Sequence, residues 1–342
     1  MATARHWKFG TFLLVAGSIF GADWNPRLAA TYLDSRQKDW FAWTPAKAPG
    51  GPCVSCHTGV TYLLARPALR RALGESRPTE YETGLLEALR ARVDKKESKE
   101  VFPSFTKEPA AAQAMGVESI HAALFLGTEE AFTRLWSLQI RDGESKGAWN
   151  WFSLNLDPWE MPESRFYGAA MAALAAGNSP AAQNREGIQA LAAYLQRELK
   201  NQPLHNRAVL LWTSTKLPQA LPETARKAII EEIREKQRSD GGWTLASLGP
   251  WKQHAAAPAD EGSNSYATAL IAFALQKAGV PASDVRLKRA IGWLAAHQDR
   301  ESGMWRSSSM NKRFEPGSMQ ILFMNDAATA FASLALLESR SH

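Results

Sequence analysis

Gln237-Arg-Ser-Asp-Gly-Gly-Trp243 and Gln298-Asp-Arg-Glu-Ser-Gly-Met-Trp305 each close a helical segment, and Gln139 followed by Gly147-Ala-Trp149 is a looser third copy. Trp293-Leu294 stands a turn before Gln298, as Leu135-Trp136 does before Gln139. Self-similarity on this scale marks stacked supersecondary units, each burying its apolar face against the next. A Trp laid over the end of a neighbouring helix staples such a unit, so these tryptophans read as fold-defining rather than as ligand contacts.

Working outward from the repeats, six segments are rich in small residues and poor in charge: 56–73, 118–126, 164–176, 205–213, 264–277 and 325–337. Six more amphipathic segments alternate with them: 26–38, 80–93, 129–138, 184–199, 222–236 and 284–297. In the second set the charges recur along one face, as expected for helices wet on one side, whereas the first set suits helices contacted on most sides. The expectation is an all-α chain, an α6/α6 toroid over residues 23–342 with alternating inner and outer helices. Asp284, Pro222, Gly127, Gly177 and Gly279 stand where helix starts and stops are needed. Three longer irregular stretches, 143–163, 244–263 and 306–320, fall between an outer and an inner helix, so all would emerge at one end. Loops of that length are usually functional or disordered.

The Gln-x3-Gly-x-Trp form resembles the QW repeat of squalene-hopene cyclases and related terpenoid cyclases. That resemblance implies a terpenoid-cyclase- or prenyltransferase-like toroid over most of residues 26–340, and the motifs that carry it lie at 237–243 and 293–305. It does not carry the family's chemistry. The cyclases protonate an alkene with the middle Asp of Asp-x-Asp-Asp-Thr-Ala. The nearest texts here are Asn325-Asp326-Ala327-Ala328-Thr329-Ala330 and Asn264-Ser265-Tyr266-Ala267-Thr268-Ala269, with Ala327 and Tyr266 in the acid's place. The prenyltransferase zinc needs a cysteine that this chain does not have to spare. The chain is also similar to bacterial proteins labelled squalene-cyclase-like.

Cys53-Val-Ser-Cys56-His57 contains both cysteines of the 342 residues. Two thiols separated by two residues and followed by His have the spacing of a c-type haem attachment site, in which the thiols take the two vinyl groups and the imidazole binds iron. Other readings are a redox-active Cys-x-x-Cys disulfide, half of a zinc site, and two inert thiols. The zinc reading lacks a second ligand pair, and the redox reading lacks its βαβ context. Residues 1–22 have a short basic start (Arg5, Lys8) and an apolar run from Phe9 to Phe20, the pattern of a signal peptide or N-terminal anchor. The compartment expected is therefore periplasmic or otherwise exported, where haem c is attached.

If Cys53 to His57 open the first inner helix, and all inner helices start at the same end, then one mouth gathers His57, Glu118, His121, Arg165, Tyr167, His205, Asn206, Arg207, Asn264, Tyr266 and Asp326. His57 is the expected proximal iron ligand. His121 and His205 are candidates for the other axial position, with Met324 and Met115 as softer donors and His254 behind them. Arg165 and Arg207 are candidates for the haem propionates, which favour bidentate guanidinium contacts. Glu118, Asp326 and Tyr266 are candidate acid/base groups. The net charge of +6 is dispersed, without a basic block, which speaks against nucleic acid.

The functional expectation is a haem-dependent oxidoreductase acting on an apolar, isoprenoid-like molecule in the barrel cavity. A redox partner protein and membrane-surface association are compatible with it. The alternatives are an electron-transfer or sensing cytochrome on a toroid scaffold, and a terpenoid cyclase with a non-standard acid.

Overall fold

The computed structural model describes residues 24–251, 262–309 and 312–340. The N-terminal segment 1–22 and His254 lie outside them. Among the described residues the chain is all-helical, with α1 (Pro26–Ala42), α2 (Gly59–Ala72), α3 (Glu80–Arg92), α4 (Ala110–Leu126), α5 (Glu129–Ser137), α6 (Ser164–Asn178), α7 (Arg185–Glu198), α8 (Leu204–Thr213), α9 (Glu223–Glu235), α10 (Ser265–Lys277), α11 (Val285–Ala296) and α12 (Phe323–Glu338). Strand pairing is confined to β1 (Lys47–Ala48) with β2 (Gly51–Pro52), antiparallel, and an isolated Leu156–Glu160 bridge.

Each of the twelve expected segments forms a helix, and the two sets pack as two layers. The even-numbered helices are buried along most of their length, whereas α9 buries only Ile229 and Ile233. In space α2 lies against α12, α12 against α10, α10 against α8, α8 against α6, and α6 against α4. Each odd-numbered helix covers one or two of these, for example α1 on α2 and α12, and α11 on α10 and α12. Ala-rich surfaces let the inner backbones approach closely, so helices of low polarity reach the packing density of an interior. The segment Met319–Glu338 is long and apolar enough to cross a membrane, but most of it is buried as α12 and the turn before it.

The repeats act identically in all three copies. The indole N–H of Trp149, Trp243 and Trp305 donates to the carbonyl of Leu135, Ile233 and Leu294, at 2.7, 2.7 and 2.8 Å, in the last turn of the preceding outer helix. Carbonyls there lack the usual i+4 helical donor, so each indole supplies a bond; the Leu135 and Leu294 carbonyls accept a second one from the cap amides of Leu138 and His297. The Gln side chain reaches forward. Gln139 donates to Gly147 and Gly187, Gln237 to Gly241 and Arg286, and Gln298 to Gly303 and Asn25. Each Gln thus joins its own turn to the start of the next outer helix: α5 to α7, α9 to α11, and α11 to α1. The turn Gly is obligatory. At Gly147 (φ 96°) and Gly303 (φ 80°) a Cβ would stand 2.1 Å from the Ala190 carbonyl oxygen and 2.4 Å from the Leu28 carbonyl carbon.

Three local expectations are corrected. Helix α4 begins at Ala110 rather than Glu118, because the small residues 110–117 continue it. Glu118 therefore sits eight residues in, roughly 12 Å from the start at 1.5 Å per residue. The Cys53–His57 motif precedes α2 as a loop rather than opening it. Gly177 does not stop α6, which runs to Asn178; a Cβ there would meet the Lys216 carbonyl at 2.1 Å, so close helix approach explains it.

Trp243→Ala and Trp305→Ala should each destabilise the protein by about 3 kcal/mol or more through the cavity, and Trp243→Ala also through the lost donor to the Ile233 carbonyl. Gln298→Ala should cost about 1 to 2 kcal/mol. Denaturant titration checks both, and equal stability of all three variants with the parent would remove the stapling role.

Candidate functional site

The loop Cys53–His57 is clamped from several elements. The Cys53 N–H donates to Ala46 O (2.7 Å), and its carbonyl accepts from the Trp40 indole (2.7 Å). Ser55 Oγ accepts from the Thr58 and Gly59 amides (3.3 and 3.2 Å), which caps α2. Gln37 donates to Thr58 O (2.9 Å) and Thr61 Oγ1 to His57 O (2.6 Å). The fully buried Arg92 donates to the carbonyls of Pro49, Gly51 and Pro52 and pairs with Glu118 at 2.7 Å. Glu118 is thus the counter-charge of the guanidinium that holds the approach to the loop.

Both cysteines are free thiols. The His57 ring is buried and stacks on Phe323 at a centroid distance of 3.5 Å, with the Trp40 ring edge-on at 5.5 Å and Trp159 at 6.1 Å. Its Nδ1 lies 2.8 Å from Thr58 Oγ1. Trp40 and Phe323 belong to a hydrophobic cluster separate from the main core, flanked by the partly buried Trp43, Cys53, Leu156 and Met319. Leu154, close by in sequence to Leu156, and Ile321, close by to Met319, are two of the exposed large hydrophobic residues of the chain.

Burial, with Arg36 adding to it, pushes the His57 pKa down to about 3, so the imidazole is neutral at physiological pH. Burial likewise pushes both thiols up. Nearby Glu118 raises Cys53 further against the opposing Arg92, and Glu160 raises Cys56. These thiols are therefore not standing thiolates. Glu160 shares a hydrogen bond with Cys56 and is pushed up to about 7 by burial, against the lowering effects of that bond and of Lys312. Asp157, on the same turn, is pushed up to about 6 by burial and then by Glu163. Sequence reasoning missed Glu160. The only signal was its place in a long Trp-rich loop, and only folding sets that loop against the cysteines.

The remaining candidates divide. Asp326 joins His57: it accepts from Thr58 Oγ1 (2.7 Å), Tyr32 OH (3.0 Å) and Arg36 Nε (2.8 Å). His205 and Tyr266 form a second group. Tyr266 OH lies 2.9 Å from His205 Nε2 and accepts from Trp159 Nε1 (3.1 Å), while His205 Nδ1 lies 3.0 Å from Asn206 Oδ1. Both His205 nitrogens are thus engaged. His121 is buried against Trp151, within hydrogen-bonding reach of the Val54 backbone, and its Nδ1 has no partner. Burial pushes His121 and His205 down to about 3 and about 4.

Neither arginine reaches this group. Arg207 turns to the outer layer, where it forks onto Glu232 at 2.5 and 2.9 Å, and Arg165 donates to Ser145 Oγ. Met115 lies beside Arg134, and Met324 is buried in α12. Between the groups the interior is packed with rings: Trp151, Trp159, Tyr167, Tyr266 and Phe331 are each at most 3% exposed, and successive centroids lie 5.3 to 6.1 Å apart along Trp151, Tyr167, His205, Tyr266 and Trp159. Among the described residues no group of three or more His, Cys, Asp and Glu is placed to hold a metal ion.

No protein-family model and no curated protein matches the chain. Among solved structures it is similar to a polysaccharide lyase (12% identity, 92% of this chain and 98% of that chain, TM-score 0.48). It is also similar to a possible member of the GH105 family from Salmonella enterica serovar Paratyphi A (16% identity, 94% and 84%, TM-score 0.36). Likeness at this distance says nothing of chemistry.

Because the folded state holds the Glu160 proton up to about pH 7 while the unfolded chain releases it near its ordinary value, the stability from this group is full below that ordinary value. It is lost as pH rises toward 7, by on the order of 3 kcal/mol. Asp157 adds a smaller loss in the same direction. Urea melts from pH 4.5 to 7.5 should show Glu160→Gln with a flatter profile than the parent. Equal slopes would mean that Glu160 ionises freely in the folded protein.

Proposed function

We propose that this chain is an exported, monohaem c-type protein built on a closed α6/α6 toroid, with Cys53 and Cys56 as the attachment thiols and His57 as the axial ligand. The observation that carries the reading is the composition of one loop: two free thiols and a buried imidazole against a small aromatic cluster with partly buried flanks. The donor set fits the group. Among the described residues His57 Nε2 enters no hydrogen bond, and Trp40, Trp43, Phe323, Leu156 and Met319 offer an apolar wall on the Cys53 side. When bound, a haem supplies one-electron chemistry. The chain's part is to hold the ligand, exclude water from its buried side and keep the thiols protonated until they react. Closure of the toroid is supported by Gln298, which joins the last outer unit to the cap of the first helix.

The ring-filled interior favours electron transfer or redox sensing, with the toroid as scaffold, over an enclosed substrate chamber. One observation favours the second reading, an oxidoreductase acting on an apolar molecule. An open groove of about 610 Å³, lined in part by Met304, Phe314, Ile321, Leu322 and Lys312, runs beside Asn325, next to the Asp326 that holds the ligand loop. An apolar recess with a few polar groups at its edge suits an apolar ligand oriented by one polar end. The cyclase reading loses support, since Asp326 is engaged by three donors and Tyr266 by Trp159 and His205.

The full chain, made with its N-terminal segment alongside a haem-attachment system, should keep one haem per chain through acid-acetone extraction and denaturing electrophoresis. His57→Ala should shift its Soret band. A colourless protein with two titratable thiols overturns the proposal. An unchanged spectrum in His57→Ala assigns the iron to another ligand. A low-spin spectrum indifferent to squalene-like, quinone-like and fatty additives supports the carrier, and a ligand-induced Soret shift supports the oxidoreductase.

A further inference from the structure

We propose that Thr58 and Asp326 are positioning residues that fix His57 in its Nδ1–H tautomer and leave the Nε2 lone pair as the only donor the ring can present. The inference rests on the haem reading for its purpose, but its geometry stands without it.

Thr58 Oγ1 lies 2.8 Å from His57 Nδ1 and 2.7 Å from Asp326 Oδ2, and a hydroxyl has one hydrogen to give. Asp326 is surrounded by donors: Tyr32 OH and Arg36 Nε on Oδ1, and Arg36 Nη2 (3.3 Å) on Oδ2. Burial pushes the Asp326 carboxyl up, against the lowering pull of Arg36, Thr58 and Tyr32, but both of its oxygens already face donors and Arg36, 3% exposed, is always charged, so the geometry is that of an acceptor. The Thr58 hydrogen therefore goes to Asp326. Its oxygen is left to accept, and among the described residues the hydrogen within reach on the other side is one carried by His57 Nδ1. Neutral imidazole has a single N–H, so Nε2 is then bare. Histidines that bind metal commonly donate their other N–H to a carboxylate, a carbonyl or water, which fixes the tautomer and raises ligand basicity. Here a threonine hydroxyl passes that role on to a carboxylate, as a relay of three buried side chains.

The backbone agrees with this purpose. The ring cannot swing away from Thr58, because Phe323 covers its face at 3.5 Å and Trp40 its edge. The backbone on both sides is tied down by Gln37, Ser55 and Thr61. A histidine that served only to fill the core would need neither a locked ring nor a polar relay. Asp326, read from sequence as an acid/base candidate, is placed here to act through Thr58.

Long-range ¹H–¹⁵N correlation spectra of the full chain purified without haem, with His57 assigned by its loss in His57→Ala, should show the Nδ1–H form. Thr58→Val should convert it to Nε2–H or a mixture, and Thr58→Ser should restore the parent pattern. An Nε2–H signal in the parent overturns the proposal whatever the variants do, so it stays testable if Thr58→Val fails to fold. An unchanged tautomer in a folded Thr58→Val also overturns it. In haem-loaded protein the reduction potential should rise in Thr58→Val and return in Thr58→Ser, because a ligand relieved of its anionic relay donates less charge to iron. A structural role alone would leave potential and tautomer unmoved. If no haem attaches, the functional reading fails while the tautomer result stands.

Discussion

Arg36 is a guanidinium with almost no access to water, and its charge is met by Asp326, nearly three hundred positions along the chain. Around that pair gather Tyr32 from the first helix, Thr58 from the cysteine loop, and the carbonyl and sulfur of Met319 from the turn before the last helix. Removing one partner of a buried ion pair leaves an uncompensated charge, typically a loss of 3 to 5 kcal/mol. The chain's two ends and the motif between them are therefore committed to one arrangement. A nonpolar replacement could hold the helices together equally well, but it could not orient a hydroxyl and an imidazole.

A second constraint acts on the same loop from the opposite side. The Arg92 guanidinium takes the carbonyls of Pro49, Gly51 and Pro52 on the approach to Cys53 and is neutralised by Glu118 on α4. Two buried arginines, each paired with a carboxylate from an inner helix, thus bracket five residues of loop. Both carboxylates were read as candidate acids because they stand on inner helices beside a presumed cavity. Their partners, on α1 and α3, are what make them structural.

The interior explains why the chain has so many tryptophans. Three of them close repeat turns on carbonyls of preceding helices. Trp151 and Trp159 come from the irregular stretch 143–163 and fill the space between the inner helices, where Gly168 gives way to the Trp151 ring. Inner helices lined by alanine leave space between them, and large rings from a loop fill it at native density. The result links His57 to Tyr266 through Trp159, and His205 to His121 through Tyr167 and Trp151, by ring contacts rather than by a shared open chamber.

Periodicity and the Gln/Gly/Trp repeats by themselves determined twelve helices in two alternating sets, because burial on one face or on all faces leaves a local pattern that the chain must carry in order to pack. The Cys-x-x-Cys-His spacing likewise needs no fold to be legible. What only the tertiary structure decided was which charged groups are spent. Arg207 and Glu118 were placed at the mouth on their helix positions, yet one faces Glu232 in the outer layer and the other lies deep against Arg92. The start of α4 eight residues early is enough to move Glu118 and His121 inward. Glu160 and Thr58 carried no local signal, since a carboxyl in a loop and a threonine after a histidine are common. Their roles come from partners far away in sequence, and pairings over such separations are fixed by packing, which no local pattern records.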